Sequence, residues 1–304
     1  MYELINTFAD KTVAYDIVTG ISVGAINGAG FANFKQGDEV AAADFILALW
    51  RGLSRDEILR DWNWGGVVRG ILFETSLWDS TPLENYIRGH VEKPQRDFIY
   101  GLVEFGSGKY VTFDNNEPEE RYIQGVLGSA AFPGLLKAIK KLDEGKVYLD
   151  GGVAWTLDIA SAVNFCKKKG FEESKIVVDV IKCGGATFKV DDASQYKTIK
   201  MGLRYLEIRS FYNAMDIVII ARAAYKDVNF RYLIAPTAKL ETGLVPFNFD
   251  PVEIEHNIQS GIRDAKVSIS LGPGKSFDLI TKFAMDKSSG KTELDFGDFI
   301  AQNK

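Results

Sequence analysis

Val13-Ala14-Tyr15-Asp16-Ile17-Val18-Thr19-Gly20-Ile21-Ser22-Val23-Gly24-Ala25-Ile26-Asn27 is the stretch that decides the architecture. Val13 to Val18 is a short apolar run ended by Thr19 and Gly20, and it reads as a buried strand. From Val23 to Lys35 small and apolar residues continue with glycine as the only breaker, so a helix follows at once. Between the two lies Gly20-Ile21-Ser22-Val23-Gly24, a G-x-S-x-G motif. In such a motif the serine occupies a sharp, strained strand-to-helix turn, and flanking side chains would clash, which explains the glycines. The turn lifts the hydroxyl off the sheet edge. It also aims a helix N-terminus at the place where negative charge develops in acyl transfer. By itself the motif arises by chance in roughly one chain of this length in ten. Its context, strand before and helix after, is what the mechanism requires.

Reading outward, Asp38 to Trp50 forms a second helix. Thr81-Pro82-Leu83-Glu84 has the spacing of a capping box with proline at the first helical position and opens a helix to about His90. Phe98 to Phe105 and Lys109 to Asp114 flank Gly106-Ser107-Gly108 as a hairpin. Glu119 to Ala131 is helical and stops before Pro133-Gly134. Val147 to Leu149 is a brief strand running into Asp150-Gly151-Gly152. Further on, Asp158 caps a helix to Lys169, with Lys167, Lys168 and Lys169 at its C-terminus. Ile176 to Cys183 is a strand, Ile199 to about Lys226 a long and well-buried helix, and Tyr232 to Ala235 a strand. Asp250 caps a helix bearing Ile254, Ile258 and Ile262 on one face. From Gly272 onward the composition predicts loop or a loose tail. Strands alternating with helices argue a three-layer α/β/α fold with a mostly parallel sheet. The organisation expected is a first unit over 1–163, with 164–304 continuing the same fold.

A serine nucleophile needs a proton acceptor. The chain of 304 residues holds two histidines. Asp150 ends a strand, and the two glycines after it let the backbone turn sharply and face the carboxylate into the crevice at the strand termini. Taken alone, Asp150 reads rather as a residue that opens a turn. The order Ser22, Asp150, His256 is that of an α/β-hydrolase triad. However, His256 falls inside the helix that Asp250 caps, where it reads as a surface side chain, as does His90 at a helix end.

Three ordered blocks carry a resemblance: Gly20-Ile21-Ser22-Val23-Gly24-Ala25-Ile26-Asn27, Gly128-Ser129-Ala130-Ala131-Phe132-Pro133-Gly134, and Leu149-Asp150-Gly151-Gly152. Together they resemble the patatin-like phospholipase family over about Thr12 to Ala162. The resemblance implies a Ser22–Asp150 dyad without histidine and hydrolysis of acyl esters in phospholipids, galactolipids or neutral glycerides. It implies no metal and no organic cofactor. It also calls for a Gly-rich loop ahead of the elbow, whose amides form the oxyanion hole. Met1 to Thr19 contains no glycine. The chain thus resembles a family member that starts just after its oxyanion loop, with the Val23 amide left as an oxyanion donor. Either an active hydrolase or an impaired, lipid- or protein-binding paralogue fits that departure.

Composition excludes other classes. Hydrophobic residues are 46%, charged residues 25%, and net charge is −5. No dense basic stripe exists, so nucleic acid is not an expected partner. Cys166 and Cys183 are expected as buried thiols rather than a disulfide framework or metal site. No apolar run reaches the length of a membrane span. Gly272-Pro273-Gly274-Lys275-Ser276 fails the phosphate-loop spacing because Ile269 stands where a glycine is needed. Trp62, Trp64, Phe73 and Trp78 cluster around Gly65, Gly66 and Gly70. They read either as a lid or lipid-contact patch on a peripheral membrane surface, or as a satellite core under a long loop.

Overall fold

The computed structural model describes residues 1–8, 13–184, 192–237, 240 and 249–286. A short helix α1 (Tyr2–Thr7) precedes strand β1 (Ile17–Ile21), and α2 (Val23–Ala32) follows with one residue between them. Helices α3 (Glu39–Gly52), α4 (Gly66–Phe73) and α5 (Thr81–His90) fill the crossover to β2 (Asp97–Glu104), which pairs parallel to β1. The hairpin is completed by β3 (Lys109–Asp114). Then come α6 (Glu119–Ser129), β4 (Tyr148–Asp150), α7 (Ile159–Lys168), β5 (Val177–Ile181), α8 (Thr198–Ala224), β6 (Asn229–Ile234), α9 (Pro251–Leu271) and α10 (Lys275–Asp286).

The architecture is three-layer α/β/α, and among the described residues its strands form a mixed four-stranded sheet and a parallel two-stranded one. The pairs β1–β2 and β5–β6 are parallel, while β3 and β4 both run antiparallel to β2. Alternation along β2 sets the first core. Phe98, Tyr100 and Leu102 point to one face and are fully buried together with residues of α2, α5 and α6. Glycines let those helices lie close on the strand. A Cβ at Gly28 of α2 would sit 2.4 Å from the Phe98 ring, and one at Gly125 of α6 would sit 2.6 Å from the Tyr100 ring. A second core joins α7, β5, α8, β6 and α10.

Several expectations shift. Strand β1 begins at Ile17 and runs through Ile21 to the serine, later than the apolar run suggests. The capping box at Thr81 is not formed: Asp79 accepts from the Thr81 amide at 3.0 Å, while Glu84 pairs with Arg88 at 2.9 Å. The long helix α8 is only partly buried, since Met201, Tyr205 and Leu206 in its first half are exposed. After the Gly272–Gly274 break the chain resumes as α10 rather than a loose tail, because Phe277 and Leu279 anchor it to the second core. Residues 287–304, the rest of that expected tail, lie outside the described residues. Cys166 is half-buried and Cys183 exposed, so neither is the fully buried thiol expected.

Candidate active site

Two strand ends meet head to head on one edge of β2. Strand β1 runs parallel to β2 and ends with Ile21 opposite Gly101. Strand β4 comes from the other direction, antiparallel, and ends with Asp150 opposite Leu102. Gly101 and Leu102 are consecutive, so the residue following β1, Ser22, abuts the last residue of β4. The Ser22 Oγ donates to Asp150 Oδ2 at 2.6 Å. Residues 128 apart in sequence are thus placed together by register alone.

Ser22 caps α2 with φ 59° and ψ −131°, a region essentially reserved for glycine. The surroundings hold it there. A Cβ at Gly20 would lie 2.2 Å from the Gly24 carbonyl oxygen, so the strand can turn this tightly into the helix only with glycine at position 20. Gly24 differs from the sequence expectation: a Cβ there meets nothing within 4 Å, so no clash inside the fold demands it. The Ser22 amide donates to Ser129 Oγ at 3.1 Å, and Ser129 Oγ donates to the Gly101 carbonyl at 2.7 Å. Sequence reasoning placed Ser129 in a resembling block but gave it no task. Its task in the fold is to tie the elbow backbone to β2 from a fully buried position.

Asp150 is 2% exposed. Its Oδ1 accepts from the Gly152 amide at 2.7 Å, which leaves Oδ2 for Ser22. Gly151 is needed because a Cβ there would lie 2.3 Å from the Gly101 carbonyl oxygen. No Lys, Arg or His forms an ion pair with Asp150 among the described residues. Burial therefore pushes its carboxyl up to about 6, against the opposing pull of the Ser22 and Gly152 hydrogen bonds. A carboxylate so placed is a stronger base than an ordinary aspartate, and it touches the hydroxyl directly.

The remaining candidates separate from this pair. Val23 and Gly24 open α2 beside Ser22, where amides lack intrahelical acceptors. The Ser22 amide is already engaged. His256 lies exposed on α9, and the Ser22 hydroxyl bonds to Asp150 instead, which removes the geometric basis for the triad. The His90 Nδ1 donates to the Tyr86 carbonyl oxygen, 2.8 Å away. No metal-binding cluster of His, Cys, Asp and Glu occurs among the described residues. An apolar cleft of about 240 Å³ opens beyond β5 and β6, lined by Ile181, Cys183, Ile234 and Ile258; neither Ser22 nor Asp150 lines it. The four aromatics divide. Trp62 donates to Ser76 O at 3.1 Å and Trp78 packs on the first core, whereas Trp64 and Phe73 are exposed.

Comparison with protein-family models matches residues 5–163 to the family described as patatin-like phospholipase. No match was found among curated proteins. The matched span takes in β1, the Ser22 turn, Ser129 and Asp150, and it exceeds half of the 304 residues; the chain belongs to the patatin-like phospholipase family.

Proposed function

We propose that the chain hydrolyses acyl esters of lipids, with Ser22 as nucleophile and Asp150 as its general base. The 2.6 Å contact between Ser22 Oγ and Asp150 Oδ2 carries this reading. The ionised carboxylate takes the hydroxyl proton as Ser22 Oγ attacks the ester carbonyl carbon. The tetrahedral oxyanion forms beside the first turn of α2, where the Val23 amide donates. Collapse expels the alcohol, which receives the proton from Asp150, and leaves an acyl-enzyme. Water then attacks that ester with Asp150 again as base, releasing the fatty acid and restoring Ser22.

A second reading is a weakly active or binding paralogue. Residues 1–19 hold no glycine, so the Gly-rich loop that the family resemblance calls for is not among them. An oxyanion donor is worth about 3–4 kcal/mol of transition-state stabilisation, so the number of donors at the site separates an active hydrolase from such a paralogue. A fluorophosphonate probe separates the readings, because it reports the nucleophile without requiring turnover. Labelling of the wild-type chain and none of Ser22→Ala is the expected result. An unlabelled, folded wild-type chain would shift the reading to the binding paralogue.

The pH profile gives an independent check on the base. The base must be ionised, and burial holds Asp150 near 6. Plotted against pH, kcat/KM for a short-chain ester should therefore rise through an apparent value near 6 and level off above it. A rise centred near the ordinary carboxylate value would exclude a buried Asp150 as the base.

A further inference from the structure

Helix α4 is amphipathic in the reverse of the usual sense. At 3.6 residues per turn Val67 and Ile71 stack on one line and Val68 and Leu72 on the next, forming a single arc. All four side chains face solvent, at 39 to 65% exposure. The opposite side carries Gly70, where a Cβ would lie 2.5 Å from the Leu77 carbonyl oxygen. The helix rests on glycine and turns its aliphatic residues outward, whereas a helix of a globular core does the opposite. Trp64, 90% exposed, precedes the helix, and Phe73, 80% exposed, ends it. Trp64, Gly65 and Gly66 are successive left-handed residues that redirect the chain into the helix.

The foundation under α4 is fixed. Trp62 bonds Ser76 O and lies under both the Arg69 guanidinium, 5.4 Å from its ring, and the Lys137 ammonium, 5.1 Å away. Arg69 pairs with Glu74 at 2.7 Å. The support reaches the candidate active site in two steps. The Leu77 amide donates to Gly134 O at 2.8 Å, and three residues earlier Ala131 O accepts from the Asp150 amide at 3.1 Å. These contacts tie the support of α4 to the backbone that carries Asp150.

We propose that α4, with Trp64 and Phe73, inserts shallowly into a phospholipid surface and thereby presents Ser22 to ester bonds held there. Three features select this occupant. The arc offers no charge to an acidic or basic partner; the cations under the helix, Arg69 and Lys137, are paired with Glu74 and Asp79. Aliphatic residues flanked by Trp and Phe are the composition of a helix lying in a lipid interface. An eight-residue helix is about 12 Å long, too small to supply the roughly 800 Å² per partner that a stable dimer interface buries. No helix among the described residues is long and apolar enough to cross a membrane, so contact through this element is peripheral. The inference deepens the hydrolase reading and rests on it only for its purpose, since insertion itself requires no turnover.

The test uses the full chain carrying Ser22→Ala, which cannot consume lipid, floated with vesicles of phosphatidylcholine and phosphatidylglycerol. Vesicle binding and a blue shift of Trp emission are expected, and Ile71→Ser/Leu72→Ser should weaken binding at least about tenfold. In the chain with Ser22 intact, the same pair of substitutions should leave hydrolysis of a water-soluble ester unchanged while lowering hydrolysis of vesicle phospholipid. Phe73→Ser, at a still more exposed position, gives the same direction should the double variant fold poorly. Unchanged flotation in these variants would overturn the proposal. So would a wild-type dimer, by light scattering, that the double variant dissociates. Failure of the hydrolase reading would show separately, as vesicle binding through α4 without turnover of any ester.

Discussion

Alanine and glycine at position 22 should each abolish ester hydrolysis, and the glycine variant should be the more stable of the two by about 1–3 kcal/mol. Both remove the hydroxyl, and with it the attacking atom of the proposed mechanism. The expected fall in kcat/KM is at least about 10⁴-fold, the scale on which hydrolases lose rate with their nucleophile. Both also remove the hydrogen bond to Asp150 Oδ2, so that cost cancels between them. What remains is the backbone. At φ 59° and ψ −131° alanine keeps the steric penalty that serine carries, and glycine does not. Ser22→Gly and Ser22→Ala are compared by denaturant titration at one pH, with soluble-ester turnover measured on the same samples. Equal stabilities would mean that the elbow relaxes when the side chain is lost. Residual turnover within tenfold of wild type would remove Ser22 from the chemistry.

How much of this site can be read in the chain alone differs from element to element. The strand, the elbow and the helix after it are local, and Gly20-Ile21-Ser22-Val23-Gly24 within its apolar surroundings announces them. The hairpin around Gly106-Ser107-Gly108 is local too, and it forms where its turn residues indicate. The approach of Asp150 is not local. A three-residue strand before Asp150-Gly151-Gly152 has no periodicity that reveals its direction, and an open α/β sheet argues a parallel one. Its antiparallel course along β2 is decided by tertiary pairing, Leu102 with Asp150 and Glu104 with Tyr148. Ser129 is hidden for a similar reason: a serine at a helix end ordinarily caps or faces water, and only the fold brings it under the Ser22 amide. The segment Gly66-Val67-Val68-Arg69-Gly70-Ile71-Leu72-Phe73 escaped recognition as a helix because two glycines and three β-branched residues argue against one. Its exposed aliphatic arc then inverts the rule by which apolar periodicity predicts burial.

Asp150 should be a residue whose charge serves the chemistry at the expense of the fold. Burial raises its carboxyl from 3.8 to about 6, so folding favours the protonated form. Below about pH 4 the carboxyl is neutral in folded and unfolded chains alike, and the native state bears no penalty. As pH rises toward 6 the unfolded chain releases this proton and the folded one does not, so stability falls; above 6 the loss is complete. Two pH units correspond to about 3 kcal/mol. An asparagine at this position imitates the neutral acid: its carbonyl oxygen can still accept from the Gly152 amide, and its amide can donate to Ser22 Oγ. Asp150→Asn should therefore match wild type in stability near pH 4 and exceed it by up to about 3 kcal/mol at pH 7.5, the gap opening between those values. Activity should move the other way. Without a base at Ser22 Oγ, kcat/KM falls by about 10³-fold or more, within the range assigned to positioned proton transfer and the nucleophile it activates. Intact mass must accompany the measurement, because an asparagine followed by Gly151 is prone to deamidate and would restore the acid. Denaturant titrations of both proteins across the pH range decide the matter. A gap that does not vary with pH would show that Asp150 is not held in a dry site. A stabilised variant that retains turnover would assign the proton transfer to another group.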